Sequence, residues 1–254
     1  DAEPMLFDIF SNPNALIACL LAIPGVLLAL SVHECAHGWV SYKLGDPTAR
    51  NLGRLTLNPL KHIDILGLIC MVLLRFGWAK PVPVNARYYK KPRRDMALVA
   101  AAGPVSNLIM CIIGMLLLYL SYLIYSLTAA EPVAFSNLWA AASYNWPEVM
   151  GTEVLSAKLM YLLFVFLWQF SILNVSLAVF NLLPIPPLDG SRIAYIFLPS
   201  KWYFGIMRYE RYIVLALFVL LWLGAFSNVL SSISGWLLSG INWLIRLLPF
   251  FRFT

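Results

Sequence analysis

Residues 27–45 read LLALSVHECAHGWVSYKLG. The stretch runs as membrane-spanning sequence as far as Val32. It then sets down His33, Glu34 and His37 before continuing through Gly38, Trp39 and Val40. On a helix, residues four apart share a face, so the two imidazoles stand one turn apart where both can hold a single ion. Imidazole suits zinc. Glu34 is adjacent and need not be a ligand; it is placed to take a proton from a water acidified by that ion. Ionisable groups cost about 2.5–3.5 kcal/mol at the centre of a membrane-spanning helix and mark function there by default. The chain has three histidines, and two of them stand here. Cys35 points about 100° away from each neighbour and is not read as a ligand.

Composition agrees with a lipid setting. Of 254 residues, 61% are hydrophobic and 12% are charged, against about 45–50% and about 25% in soluble domains. This predicts an α-helical polytopic membrane protein with room for four to six spans and no separate soluble domain. The net charge of +6 falls in particular loops and reads as topology rather than as a nucleic-acid surface. Cys19, Cys35, Cys70 and Cys111 lie in apolar stretches without a CxxC pair and read as buried thiols. The acidic start, DAEPMLFDIF, lacks the positive region of a secretory signal, so the first apolar segment is expected to be retained.

Five or six apolar segments follow one another. The first covers residues 14–44 and carries HExxH. Residues 50–94 form a re-entrant region; within it residues 63–78 hold an uninterrupted charge-free run of only ten positions, 65–74, where a span needs about 20. Residues 95–127 and 153–183 make two further core helices, 184–200 a loop, 210–226 another span, and 227–250 a span or an interfacial helix. Basic residues flank 63–78 on both sides, seven of them between Arg75 and Arg94, so that segment is expected to dip and return. Glu131, Glu148 and Glu153, with no basic residue among them, put the next loop outside. The chain therefore starts outside, and its motif lies toward the cytoplasm.

Two histidines leave a catalytic zinc one protein ligand short. Spacing leaves His62, Asp64 and Asp189 as candidates. Asp189 sits in NLLPIPPLDGSRI, residues 181–193, where Pro184, Pro186 and Pro187 end the preceding helix and are expected to force extended backbone. Such backbone is tolerated at membrane depth only inside protein or beside a wet cavity. Both helices end on the same side, so Asp189 can meet the histidines.

The ordered set His33-Glu34-x-x-His37, RLTLNPLKHIDILG (54–67), WAKPVPVN (78–85), AAGPVSNL (101–108) and Asn181-x-x-Pro184-x-Pro186-x-Leu188-Asp189-Gly190 resembles the site-2 protease family of intramembrane zinc metalloproteases. The likeness covers roughly residues 27–193, is to a compact form without PDZ or regulatory domain, and implies that the membrane-dipping region 50–94 on the cytoplasmic side is β-rich. It implies one zinc ion per chain on His33, His37 and Asp189, with Glu34 as general base and acid. It also implies a transmembrane protein or peptide in the bilayer as substrate. Asn181 matches the family's asparagine eight residues before the aspartate, where its amide would bind substrate backbone or the oxyanion. Asn107 is a candidate for substrate contact or for helix packing. Pro81, Val82, Pro83, Val84 and Asn85 form an edge that an unwound substrate can join.

Two rival functions remain at this stage. A transporter would need a polar path along the other helices, and the third to fifth segments carry almost no ionisable residue. A helix-binding pseudo-enzyme is disfavoured by the intact Glu34. Oligomeric state and substrate identity are not written in the sequence.

Overall fold

A computed structural model describes residues 13–67, 70, 78–129, 133–138, 155–199, 202, 205–206 and 208–251. Helix α1 is Pro13–Lys43, α2 is Thr48–Asn51 and α3 is Pro92–Thr128. Helix α4 is Leu155–Asn181, α5 is Asp189–Ala194, α6 is Glu210–Trp222 and α7 is Ser227–Arg246. Among the described residues, three stretches are long and apolar enough to cross a membrane: Leu20–Lys43, Pro92–Thr128 and Leu155–Asn181. These carry HExxH, GPxxN and the asparagine that opens the LDG segment, as expected of the motif-bearing core.

Helix α3 packs along both α1 and α4, and α1 meets α4, so the three long helices form one mutually contacting bundle. Their buried centre is apolar and aromatic: Met115, Leu118, Tyr119, Tyr161, Phe164 and Val175. In lipid, apolar burial alone does not hold helices together; small residues, packing and interhelical hydrogen bonds do. Ser31, Asn107, Ser171 and Asn174 accordingly lie fully buried among them.

The outlying segments differ from expectation in instructive ways. Helix α6 has 13 residues, about 20 Å at 1.5 Å per residue, shorter than a bilayer core. Helix α7 packs on α4 and α3 with Ser234, Leu238 and Ile245 inward, and Tyr119 Oη donates to Asn242 Oδ1. The expected loop at 184–200 contains α5, which starts at Asp189 itself. The prolines before it make tight turns rather than extended chain: Leu183 N–H bonds Phe180 O, Ile185 N–H bonds Leu183 O and Leu188 N–H bonds Ile185 O. Among the described residues no strand forms in 50–94; Ile63 and Ala79 make an isolated antiparallel bridge. Proline at 81 and 83 removes the donors a regular ladder would need. Residues 68–69 and 71–77, the middle of the expected dip, lie outside the described residues, as do 139–154 of the expected outer loop.

Candidate active site

His33 and His37 come to rest near the C-terminal end of α1, opposite the first half of α3. His33 Nδ1–H donates to Asn107 Oδ1 at 2.6 Å. His37 Nδ1–H donates to the Val99 carbonyl at 2.7 Å. A neutral imidazole whose Nδ1 carries the proton keeps its lone pair on Nε2. The two Nε2 atoms lie 3.0 Å apart, and Asp189 Oδ2 lies 3.2 Å from the first and 3.3 Å from the second. Asp189 Oδ2 is buried and accepts no hydrogen bond among the described residues. Three buried lone-pair atoms thus converge, which is unfavourable unless a cation sits among them. Ligand atoms about 2.0–2.2 Å from a tetrahedral zinc stand roughly 3.3 Å from one another, close to the three separations found. His33, His37 and Asp189 form the group of potential metal ligands among the described residues, and this donor set fits zinc.

Two glycines make the cluster possible. A Cβ on Gly103 would lie 2.5 Å from His33 Cε1 and His37 Nε2 and 2.6 Å from His33 Nε2, so α3 can close over the imidazoles only with no side chain there. Pro104 follows and lacks the N–H that would reach Ala100 O. A Cβ on Gly190 would meet Leu182 O at 2.1 Å and Leu183 O at 2.5 Å. The turn after α4 therefore folds tightly enough to bring Asp189 back to α1 only because glycine follows it.

A cavity of about 630 Å³ opens beside the cluster. Glu34, His33, His37, Asp189 and Asn181 line it, together with Pro81, Val82 and Val84. Val214, Leu217 and Phe218 of α6 form the facing wall, and Phe218 stacks on Trp78 with centroids 5.8 Å apart. Val82 N–H donates to Glu34 Oε2 at 2.7 Å, so the segment after Trp78 is fastened to the carboxylate. Arg54 Nη2 holds that segment from outside through the carbonyls of Lys80 (2.7 Å) and Pro81 (3.3 Å).

Other candidates are placed differently. Asn107 is fully buried and faces His33 and Asn174 rather than the cavity. Asn181 lines the cavity while its Nδ2 donates to Leu177 O at 3.0 Å. Asn85 caps the 3₁₀ turn Ala86–Tyr88 through Arg87 N–H, and its own N–H reaches Asp46 Oδ2 at 2.7 Å; neither it nor Pro83 is among the residues lining the cavity. His62 is buried with Nε2–H on Thr56 O at 2.7 Å, and Asp64 accepts Gly67 N–H; the cluster includes neither. Asp46, Gly103, Val99 and Asn174 carry parts of the arrangement that sequence reasoning did not assign. Gly103 was signalled by the GPxxN pattern, whereas a lone Asn174 in an apolar helix gave no signal.

The sequence matches the profile of peptidase family M50 over residues 21–224. It is 43% identical over 169 residues to "Putative zinc metalloprotease YwhC" of Bacillus subtilis, covering 66% of this chain and 64% of that protein. It is 29% identical over 177 residues to "Putative zinc metalloprotease Rip2" of Mycolicibacterium smegmatis, covering 67% and 54%. To Rip2 of Mycobacterium tuberculosis it is 25% identical over 234 residues, covering 90% and 74%. No solved structure matches the chain.

Proposed function

Because this chain belongs to peptidase family M50, we propose that it is an integral-membrane zinc metalloprotease cutting a peptide bond within or next to a transmembrane segment. The observation that carries the proposal is the convergence of His33 Nε2, His37 Nε2 and Asp189 Oδ2 beside a Glu34-lined cavity in a three-helix apolar bundle.

In this reading His33, His37 and Asp189 hold one zinc ion. When bound, the ion supplies Lewis-acid polarisation and an acidified water. Glu34 takes the proton of the attacking water and returns it to the leaving amine. Oε2 is occupied by Val82 N–H, so Oε1 is the oxygen left for that proton. Asn181 supplies an amide to the substrate carbonyl or backbone, exchanging its bond to Leu177 O. Pro81, Val82 and Val84 provide the edge along which an unwound substrate lies, and Asn107 serves the metal centre from behind. The active site faces the cytoplasm, the start of α1 lies outside, and 63–78 dips into the membrane without crossing.

The test is metal content and cleavage of a model transmembrane peptide by purified protein. Wild type should hold about one zinc per chain and cleave. Asp189→Ala should lose both, while His62→Ala should keep most of its zinc. Zinc retained in Asp189→Ala and lost in His62→Ala would overturn the ligand set.

A further inference from the structure

We infer that Asn174, which is not among the residues lining the cavity and hydrogen-bonds no metal ligand directly, is the positioning residue that sets which ring nitrogen of His33 faces the metal. The inference rests on the zinc-site reading above. It follows from the direction of a buried hydrogen-bond chain through all three long helices.

The chain begins at a backbone carbonyl, which can only accept. Asn174 Nδ2 lies 2.8 Å from Phe170 O, so the NH₂ end of Asn174 must point there and its Oδ1 must point the other way. Oδ1 lies 2.8 Å from Asn107 Nδ2, so Asn107 must present its NH₂ to Asn174. A second backbone carbonyl, Ala29 O, lies 3.4 Å from the same Nδ2 and agrees. Asn107 Oδ1 is thereby turned toward His33, 2.6 Å from Nδ1, and an amide oxygen there requires a proton on Nδ1. Nε2 is left with the lone pair that a metal needs. Asn107 and Asn174 are both fully buried, so no bulk water competes for these groups.

Without the Asn174 oxygen, Asn107 retains only the long contact to Ala29 O as its reason not to flip. A flipped Asn107 would offer NH₂ to Nδ1 and stabilise the tautomer with the proton on Nε2, which cannot ligate until it is lost. His37 is not governed this way, because its Nδ1–H donates directly to Val99 O. The two histidines therefore have independent supports, one made by backbone and one by an asparagine relay.

The experiment is a competition titration of purified, metal-stripped full-length protein with Zn²⁺, using Co²⁺ and its visible spectrum as the probe. Asn174→Leu removes the whole relay end. Asn174→Ser is the milder variant: its hydroxyl can bond Phe170 O, as Ser171 Oγ already bonds Leu167 O at 2.8 Å, but it is too short to reach Asn107. Both should weaken zinc binding about 10–100-fold and alter the Co²⁺ spectrum. In an Asn107→Leu background, Asn174→Leu should add no further loss, since it acts only through Asn107. Wild-type affinity in both variants overturns the inference while leaving the zinc site intact. So does a loss that persists undiminished in the Asn107→Leu background, which would make Asn174 a packing residue. Failure of the wild type itself to bind zinc would sink the zinc-site reading instead.

Discussion

The backbone N–H of Val82 lies 2.7 Å from Glu34 Oε2, joining the proline-flanked segment of the chain to the carboxylate of the HExxH helix. A backbone donor fixes one oxygen of this carboxylate and leaves the other to the cavity. Glu34→Gln preserves that arrangement, because the glutamine Oε can accept from Val82 while its NH₂ turns toward the water. The amide cannot take a proton. Zinc content should stay at about one per chain while cleavage falls about 10²–10⁴-fold, the usual worth of a general base. Near wild-type turnover in the zinc-loaded variant would remove Glu34 from this role.

Gly103→Ala tests the close approach of α3 to the imidazoles. The added methyl would sit 2.5–2.6 Å from three ring atoms, so a ring must rotate or α3 must back away. Overpacking of this kind costs about 1–3 kcal/mol. Zinc affinity should drop further than for a disturbed supporting contact, by more than about 100-fold. An unchanged zinc Kd would show that the rings are less confined than the geometry requires.

Asp46 ties the end of α1 to the edge segment. Its carboxylate accepts from Ser41 Oγ (2.8 Å), Thr48 N–H (3.0 Å), Asn85 N–H (2.7 Å) and Thr48 Oγ1. Burial raises its pKa, and the bonds from Thr48, Asn85 and Ser41 outweigh burial and leave it below the ordinary value. A depressed folded-state pKa contributes stability above the unfolded value, about 3.9, and that contribution is lost as pH falls through the folded-state pKa. Asp46→Asn should therefore lower thermal stability at pH 7, by about 1–3 kcal/mol, and the gap to wild type should narrow below pH about 4. A gap independent of pH would mean that Asp46 acts by shape rather than charge.

The dip is tested by labelling. Asn51 and Tyr88 are exposed on either side of residues 63–78. Single cysteines at 51 and 88, in a cysteine-free protein, should react from the same, cytoplasmic face of sealed vesicles. Labelling from opposite faces would make 63–78 a span.

His33, Glu34, His37 and Asp189 could be proposed as a site from residue type and spacing, and the structure gathers them at one cavity; the GPxxN and LDG patterns marked where other helices come near. The supports were less so. Nothing local distinguishes Asn174 from any asparagine that back-bonds its own helix; its meaning comes from Asn107, 67 residues away. The Val82–Glu34 bond likewise uses a backbone N–H that every non-proline residue has, so only the fold shows which one is chosen. The expected β-rich region failed locally for a reason also present in the sequence. Pro81 and Pro83 carry no N–H, Lys80 N–H is spent on His62 O, and Arg54 occupies the carbonyls of Lys80 and Pro81. Such a segment makes scattered bonds, one to backbone and the others to side chains, instead of a ladder.

That same accounting predicts how substrate should bind. Val82 O and both backbone groups of Val84 have no hydrogen-bond partner among the described residues, and in extended chain residues 82 and 84 face the same way as the Val82 N–H that holds Glu34. A substrate helix satisfies its own amides and offers none to these groups. Once unwound, it exposes backbone groups that cost several kcal/mol each in lipid unless paired, and Val82 O with Val84 N–H and C=O would pair them beside Glu34. Opening the helix is then the barrier, and docking is not. Model transmembrane peptides with Gly, Pro or Asn near the cut should turn over faster than leucine-substituted versions at similar binding affinity. Replacing Val84 by proline, which deletes one donor, should slow the helix-breaking substrates while leaving zinc content unchanged. Turnover indifferent to helix breakers at constant affinity would remove unwinding as the barrier. Undiminished turnover by the Val84→Pro protein would remove this edge as the place where the unwound chain is received.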